Sequence, residues 1–277
     1  MQLVDTHCHI HAADPKFSGE ENTKLRWVNG GVTDPDLLIE SAKQQSVTKL
    51  LCVGTTLEDS EAAINFANNY PNVWATIGLH PHEAKHYVGN KTSITRFKNL
   101  ATKPKVVAVG ETGLDYFYEH SPKADQEKLL RLQIELAIEH NLPLIFHIRD
   151  AFSAFWSIFD SYHNHETKLR GVVHSFSATN AELDQALARG LYIGLNGIMT
   201  FTKDTSQLAA AKAVPLDRLL LETDAPYLTP VPFRGRIGEP KYIRVIAEFL
   251  AALRGENLME VAKATTKNAQ TLFGLGI

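Results

Sequence analysis

Cysteine is scarce in this chain, with only Cys8 and Cys52 among 277 residues. Both lie in apolar, strand-like runs, so we interpret them as small buried residues of a reducing compartment and expect no disulfide framework. Cys8 is expected to face the helix layer. No apolar run approaches the roughly 18 residues that a membrane span needs, and no charged-then-apolar leader precedes Leu3. We therefore expect a cytoplasmic protein.

An excess of basic residues is also lacking. The chain has 28 Lys and Arg against 31 Asp and Glu, a formal net charge of −3. This excludes a protein that holds nucleic acid by bulk electrostatics. It leaves a phosphodiester substrate open, because a bound divalent metal and a few local Arg or Lys can neutralise phosphate at the site itself. The sequence does not indicate an oligomeric state.

Short apolar runs alternate with amphipathic segments of helix length. The strand-like runs are 3–8, 49–54, 73–79, 106–110, 143–148, 171–174, 192–195 and 219–221. The helix-like segments are 34–46, 58–69, 92–101, 122–140, 151–161, 180–189, 205–213, 240–253 and 258–273. Runs that are apolar throughout are typical of a parallel sheet covered on both faces. The pattern predicts an α/β fold, a (β/α)8 TIM-type barrel, with an open doubly wound sheet as the alternative.

We expect a single domain over residues 1–277, because no linker or low-complexity segment interrupts the alternation. The longest irregular stretch is the predicted loop between the first strand and the first helix, at 12–33. Loops of this length inside a compact domain tend to be lids or binding loops. Phe17 and Trp27 in this loop are candidates to stack on a base, and the alternative is that they fix the loop to the barrel.

The first strand ends in Asp5-Thr6-His7-Cys8-His9. Alternation along a strand sends His7 and His9 to one face, where two imidazoles can hold one metal ion. Asp5 is expected to lie behind them as a hydrogen-bond partner. Taken alone the pattern is weak, because two histidines at a strand end are often structural.

Further ionisable residues follow other predicted strands, at the barrel end where the chemistry of such folds is found. Together with the first strand, the candidate ligands are His7, His9, Glu111, His147, His174 and Asp224. Singly, each could cap a turn or accept a structural hydrogen bond. Six candidate ligands at five predicted strand ends together predict a metal site.

Four imidazoles and two carboxylates exceed what one tetrahedral ion requires and suit two divalent ions about 3.5–4 Å apart. We expect His7, His9 and Asp224 on one ion, His147 and His174 on the other, and Glu111 as the bridge. A water between the ions would become the nucleophile, with Asp224 as its acid/base. Imidazole-rich ligation favours zinc or manganese, and magnesium is an alternative at a phosphate site. Glu222, on the same face as Asp224, would orient a ligand.

These motifs resemble the TatD family of metal-dependent deoxyribonucleases, within the amidohydrolase superfamily. The matching segments span nearly the whole chain: 5–9, Gly78-Leu79-His80-Pro81-His82, Gly110-Glu111-Thr112-Gly113-Leu114-Asp115-Tyr116, 147–149, Val173-His174-Ser175-Phe176 and 222–228. The resemblance implies a metal-dependent barrel with the ligands named above. It also implies 3′-to-5′ exonuclease action on single-stranded DNA ends and, in some members, on RNA.

The sequence departs from the family pattern at His11, Ser175 and Gly238 and in the long loop. None of these removes a predicted ligand, so the departures bear on the substrate. His82, Arg149 and Arg234 are candidates to bind the substrate, because imidazole and guanidinium donors suit phosphate. Arg236, which also follows the last strand, is a further candidate. For each, a structural role or an exposed loop charge is the alternative.

Two other functions compete with the nuclease. One is a small-molecule ester, lactone or amide hydrolase on the same scaffold; related enzymes often use a modified lysine as the bridge, and Glu111 counts against this. The other is a non-catalytic metal-binding protein, and Asp224 beside a full ligand set argues against it.

Overall fold

A computed structural model describes residues 1–17, 19, 21–163 and 168–276. Its strands form one eight-stranded sheet in chain order, with each strand parallel to the next. They are β1 (Leu3–Cys8), β2 (Val47–Val53), β3 (Val73–Ile77), β4 (Val106–Asp115), β5 (Leu144–Arg149), β6 (Gly171–Val173), β7 (Tyr192–Leu195) and β8 (Leu219–Leu221). Cys8 bridges in parallel to Ala225, just beyond β8. The sheet therefore curls into a nearly closed barrel, and the (β/α)8 prediction is confirmed.

Helices follow the strands around the outside of the barrel. They are α1 (Glu21–Asn29), α2 (Pro35–Gln44), α3 (Leu57–Ala67), α4 (Ala84–Tyr87), α5 (Lys91–Leu100), α6 (Lys123–Glu139), α7 (Phe152–Tyr162), α8 (Asn180–Ala188), α9 (Thr205–Ala213), α10 (Ile243–Arg254) and α11 (Leu258–Phe273). In the part of the chain that is described, none of them has both the length and the apolar character that crossing a bilayer would demand.

One buried cluster fills the inside of the barrel, separate from the larger cluster beneath the helices. It takes residues from strands around the ring: Val4, Leu51, Val53, Ala108, Ile145, Val172 and Leu220. Leu272 and Phe273 of α11 belong to the same cluster. The apolar interior supports the polar residues at the carboxyl ends of the strands, which lie above it.

The segment 12–33 is not the irregular loop that the sequence predicts, because it contains α1 and begins within a 3-10 turn at Ile10–Ala13. The helix was missed because its nine residues have no apolar periodicity. Only Thr23 and Trp27 in it are buried. Trp27 is fully buried and donates its indole N–H to the carbonyl of His9 at 3.0 Å. This contact ties the helix to the end of β1.

Strand β4 is also longer than predicted, since it continues from Gly110 to Asp115. The two glycines of this stretch suggest a turn, but they serve the close approach of β5. A Cβ on Gly110 would lie 2.5 Å from Ile145 Cβ, and one on Gly113 would lie 1.8 Å from the His147 carbonyl oxygen. Glu111 therefore lies within β4, at the irregularity in its pairing with β5 between Val109 and Thr112, and not in a loop.

Helix α6 supports this strand through two buried glutamines. The Gln126 side chain accepts from the Asp115 N–H and donates to the Asp115 carbonyl. Gln133 donates to the Thr112 hydroxyl and bonds both backbone groups of Leu79. Buried side chains that satisfy backbone groups in this way fix the geometry of a strand end.

Candidate metal centre

Glu111 is the point on which the strand ends converge. One of its oxygens, Oε1, lies 2.8 Å from His147 Nδ1 and 3.8 Å from His174 Nε2. The other, Oε2, lies 3.3 Å from His7 Nε2. Burial alone would raise the pKa of Glu111, but the surrounding imidazoles hold it well below its usual range. The side chain is therefore a buried carboxylate anion.

Asp224 forms the second acidic part of the site. Its Oδ1 atom lies 3.3 Å from His9 Nε2 and 3.6 Å from His7 Nε2. Asp224 follows β8 in a left-handed backbone conformation, with φ of 58°, and its N–H donates to the His7 carbonyl. Burial opposes ionisation, yet the imidazoles, His9 first, lower the pKa of Asp224. Both carboxylates are thus charged.

Three of the imidazoles have one nitrogen facing these carboxylates and the other held from behind. His9 Nδ1 donates to the Val53 carbonyl at 2.9 Å. His147 Nε2 lies 3.1 Å from Asp115 Oδ2. His174 Nδ1 lies 3.0 Å from Glu222 Oε1, which is an ion-pair contact without hydrogen-bond geometry. This is the arrangement that metal-binding histidines show, because the rear partner fixes the tautomer and the ring orientation.

His7 is the most buried member of the group. Among the described residues, neither of its ring nitrogens has a hydrogen-bond partner, and its ring stacks on that of His174 with centroids 3.5 Å apart. Burial and the neighbouring His174 lower the pKa of His7. A neutral, buried imidazole with an unsatisfied nitrogen beside two carboxylates costs free energy unless a cation satisfies it. The residues therefore fit a divalent metal.

Three groups of ligand residues share the centre, and within each group the ligand atoms lie within 4.8 Å of one another. They are His7 with His9 and Asp224, His7 with Glu111 and His174, and His80 with Glu111 and His147. The structure thus brings the six predicted residues together. His147 and His174, which the sequence assigns to one ion, fall in different groups that meet at Glu111.

His80 was not identified as a site residue from the sequence. Its Nε2 atom lies 3.5 Å from Glu111 Oε1, while its Nδ1 accepts the backbone N–H of His82. Nε2 therefore carries the ring proton and points it at the carboxylate. Burial and His147 lower the pKa of His80 to about 4, so the ring is neutral. A signal was present, since His80 lies in one of the matching motifs.

The other predicted orienting residues take two different places. Glu222, fully buried beside His174, is positioned as expected. Asp5 is not behind the imidazole rings; its carboxylate accepts from the backbone N–H of His7 and from the N–H and hydroxyl of Thr223. The reason is an irregular register between Asp5 and Cys8. Asp5 fastens the end of β1 to the chain after β8.

The predicted substrate-binding residues fall into two groups, one that lines a cavity and one that does not. His82 and Arg149 line a cavity of about 1230 Å³ that opens onto the centre. His82 Nε2 lies 2.8 Å from Asp115 Oδ2. The Arg149 guanidinium lies over the rings of Phe117 and Tyr118.

Arg234 and Arg236 are not among the residues that line this cavity. Arg234 donates to the Thr229 carbonyl at 2.9 Å and lies 4.0 Å above the Phe201 ring. Arg236 lies over the ring of Phe233. These contacts give both side chains structural partners, and their role in substrate binding stays a prediction.

The aromatic residues of segment 12–33 are turned inward. Phe17, like Trp27, is buried, and its ring contacts His11 with centroids 5.6 Å apart. This matches the alternative in which these residues fix the segment to the barrel. His11, which departs from the family pattern, lies 2.9 Å from Asp59 Oδ1. The pair lies next to His9 at the end of β1, and the sequence did not indicate it.

An α/β barrel whose strand ends surround a buried carboxylate with imidazoles is the architecture of a metal-dependent hydrolase. A family model described as TatD related DNase matches residues 4–274. The chain belongs to the TatD family, and the family, fold and hydrolase class predicted from the sequence are confirmed.

Relatives agree with this assignment. The chain is 39% identical over 246 residues to the 3′-5′ ssDNA/RNA exonuclease TatD of Cronobacter sakazakii, covering 87% of this chain and 92% of that protein. It is 34% identical over 271 residues to an uncharacterized metal-dependent hydrolase, YabD, of Bacillus subtilis, covering 98% of each. The crystal structure of YJJV, a TatD homologue from Escherichia coli K12, superposes with a TM-score of 0.84 at 29% identity and covers 99% of this chain and 98% of that one.

Proposed function

We propose that this chain hydrolyses phosphodiester bonds and removes nucleotides from the 3′ end of single-stranded DNA. The observation that carries the proposal is the convergence of four imidazoles on the buried carboxylate of Glu111, next to a large cavity. The activity in the name of the Cronobacter relative supports the choice of substrate.

We propose that His7, His9 and Asp224 would hold one divalent ion and that His147 and His174 would hold a second, with Glu111 as a ligand available to both. His7, His9 and Asp224 form one ligand group, and Glu111 belongs to two others, one with His174 and one with His147. The rear partners of His9, His147 and His174 support the same assignment. Nitrogen-rich ligation favours zinc or manganese, and magnesium suits a phosphate substrate. His80 is left out of the ligand set, because its proton points at Glu111.

When bound, divalent ions supply Lewis acidity and lower the pKa of water at the site. The chain supplies the rest. Asp224 is charged and has the more accessible carboxylate, 18% exposed against 7% for Glu111. Oδ of Asp224 therefore takes up the proton of the attacking water and returns it to the leaving oxygen. Glu111, held ionised among imidazoles, stays a ligand.

His82 and Arg149 are assigned to phosphate binding, since both lie on the cavity wall. Arg149 is exposed and presents a guanidinium that can bind two phosphate oxygens at once. Arg234 has no part in this proposal, because its side chain is bonded away from the cavity.

The test uses metal-loaded protein and a single-stranded oligonucleotide labelled at its 5′ end, with magnesium, manganese and zinc in parallel. We expect stepwise shortening of the labelled strand that stops when chelator is added. The same protein is offered a simple carboxylic ester.

Asp224→Asn is the matched variant, because the amide keeps the size of the side chain and loses the proton acceptor. Loss of most turnover with normal thermal unfolding is expected. Intact DNA with all three metals, together with rapid turnover of the ester, would refute the nuclease assignment in favour of a small-molecule hydrolase.

A further inference from the structure

One wall of the cavity carries two large aromatic side chains that face solvent. Phe117 is 55% exposed and Tyr118 is 50% exposed, and both line the cavity that opens onto the metal centre. Their ring centroids are 4.8 Å apart with the planes at 90°. Tyr118 also stacks on the exposed His120, with centroids 5.6 Å apart and planes 6° apart. We call Phe117, Tyr118 and His120 the aromatic shelf.

The backbone of the shelf is held in place by Asp115. Its Oδ1 atom accepts the N–H groups of Phe117 at 3.0 Å and of Tyr118 at 2.9 Å. Its Oδ2 atom contacts His82 and the predicted ligand His147. A single carboxylate therefore sets the position of the exposed rings relative to the metal centre, without using the rings themselves.

Arg149 adds a positive charge to the shelf. Its guanidinium carbon lies 4.3 Å from the Phe117 ring centroid and 4.6 Å from that of Tyr118. Cation–π contact of this kind orients the side chain while leaving its N–H donors available. Arg149 and Asp115 face each other in the paired register of β4 and β5. A donor for phosphate thus lies against the two rings, and each aromatic residue remains about half exposed.

Exposed aromatic rings next to a guanidinium are the elements that bind single-stranded nucleic acid, with bases on the rings and phosphate on the cation. The geometry points to the aromatic shelf as a base-stacking subsite for an unpaired nucleobase next to the scissile phosphodiester. The inference rests on the proposed function and adds a substrate requirement to it. A base inside a duplex has both faces covered by its neighbours, so the shelf selects single-stranded ends.

The exposure of these two side chains argues against a purely structural role. About half of the surface of each residue is exposed, and the backbone hydrogen bonds to Asp115 fix the turn without the rings. Two adjacent exposed aromatic side chains cost hydrophobic free energy that a stacked base would recover. Because the aromatic shelf lies on the wall of the cavity that opens onto the metal centre, the substrate is the molecule that would cover it.

The test is a double-mutant cycle that combines removal of the two aromatic rings with removal of a nucleobase. Removal of the 3′-terminal nucleotide is measured for wild type and for Phe117→Ala with Tyr118→Ala. The oligonucleotides are intact or carry an abasic sugar at one of the last three positions. Stacking predicts that the double substitution lowers kcat/KM roughly tenfold on the intact strand. It predicts a similar loss for wild type on one abasic strand, and almost no further loss when the two changes are combined.

The controls address folding and general surface effects. Tyr118→Phe keeps the ring and should behave as wild type. Met259→Ala removes a side chain that is 55% exposed on α11, away from the cavity, and should leave kcat/KM unchanged. The subsite is rejected if the losses in kcat/KM from the double substitution and from the abasic sugar multiply at every abasic position. It is also rejected if the double variant has the kcat/KM of wild type.

A binding measurement separates this inference from the proposed function. Affinity for a strand with phosphorothioate linkages is measured by fluorescence anisotropy with metal-loaded protein, using the same variants and the same abasic positions. If wild type binds the strand but never shortens natural DNA, the exonuclease proposal fails. The aromatic shelf is then tested by affinity, and it is supported if the losses from the double substitution and from the abasic sugar are not additive in binding free energy. Absence of any strand binding by wild type rejects both.

Discussion

His147 Nε2 lies 3.1 Å from Asp115 Oδ2, and the strands that carry them are in register, with Gly113 opposite His147 and Asp115 opposite Arg149. Asp115 is fully buried, and although burial opposes its ionisation, contacts with His147 and His82 lower its pKa. The anion therefore acts as the rear partner of a predicted metal ligand.

Replacement of Asp115 by asparagine is expected to weaken metal binding 10- to 100-fold, the usual effect of losing such a partner. The amide oxygen can still accept the N–H groups of Phe117 and Tyr118, so the turn should be preserved. Metal affinity is measured by calorimetry, with Asp184→Asn, an exposed change on α8, as the control. Equal affinities for Asp115→Asn and wild type would contradict the assignment.

Glu111→Gln is expected to lower the number of metal ions bound per chain, because a neutral amide cannot serve as a shared anionic ligand among the imidazoles. Metal content is measured by inductively coupled plasma mass spectrometry after dialysis. Glu139→Gln, at the exposed end of α6, should retain the wild-type content. Unchanged stoichiometry in Glu111→Gln would remove this residue from the centre.

Metal affinity should rise with pH, since protons compete for the imidazoles. Burial alone would lower the pKa of His174, but Glu222 and Glu111 raise it to about 10 in the metal-free protein. The raised pKa means that the protonated ring stabilises the metal-free fold below the ordinary value of 6.5, and that this contribution is lost as pH rises through 10.

Glu222→Gln removes the first of these two charges and should lower the His174 pKa. The increase of metal affinity between about pH 6 and pH 9 should then be shallower than in wild type. Metal titrations across this range measure the slope. A slope equal to that of wild type would show that Glu222 does not control this imidazole.

Trp27→Phe should destabilise the protein by about 1 kcal/mol, because the His9 carbonyl loses its indole donor. Urea denaturation measures the change in free energy of unfolding. Trp156→Phe is the matched control: Trp156 is also buried, but its indole N–H has no partner among the described residues. A smaller loss for Trp27→Phe than for Trp156→Phe would contradict the role given to the helix α1 contact.

The strands and the six central residues were predictable for a common reason. A barrel strand is buried on both faces, so it is apolar throughout, and an ionisable residue directly after it stands out. His7, His9 and Asp224 could be found in this way, since strand ends at one edge of a parallel barrel converge.

The remaining parts of the site depend on contacts that no local pattern encodes. Gly110 and Gly113 indicate a turn by composition, whereas the structure uses them for close packing against β5. Asp115 is the last residue of β4, and its contact with His147 depends on the pairing of β4 with β5. The proton position on His80 follows only from the backbone N–H that its Nδ1 accepts.

Anomalous diffraction from crystals soaked in manganese or zinc tests the central claim most directly. The account predicts ion peaks within about 2.0–2.3 Å of ligand atoms, with Glu111 contacting each occupied ion and with His7 and His9 on the ion nearest Asp224. Peaks elsewhere on the molecule, with no ion in contact with Glu111, would contradict it.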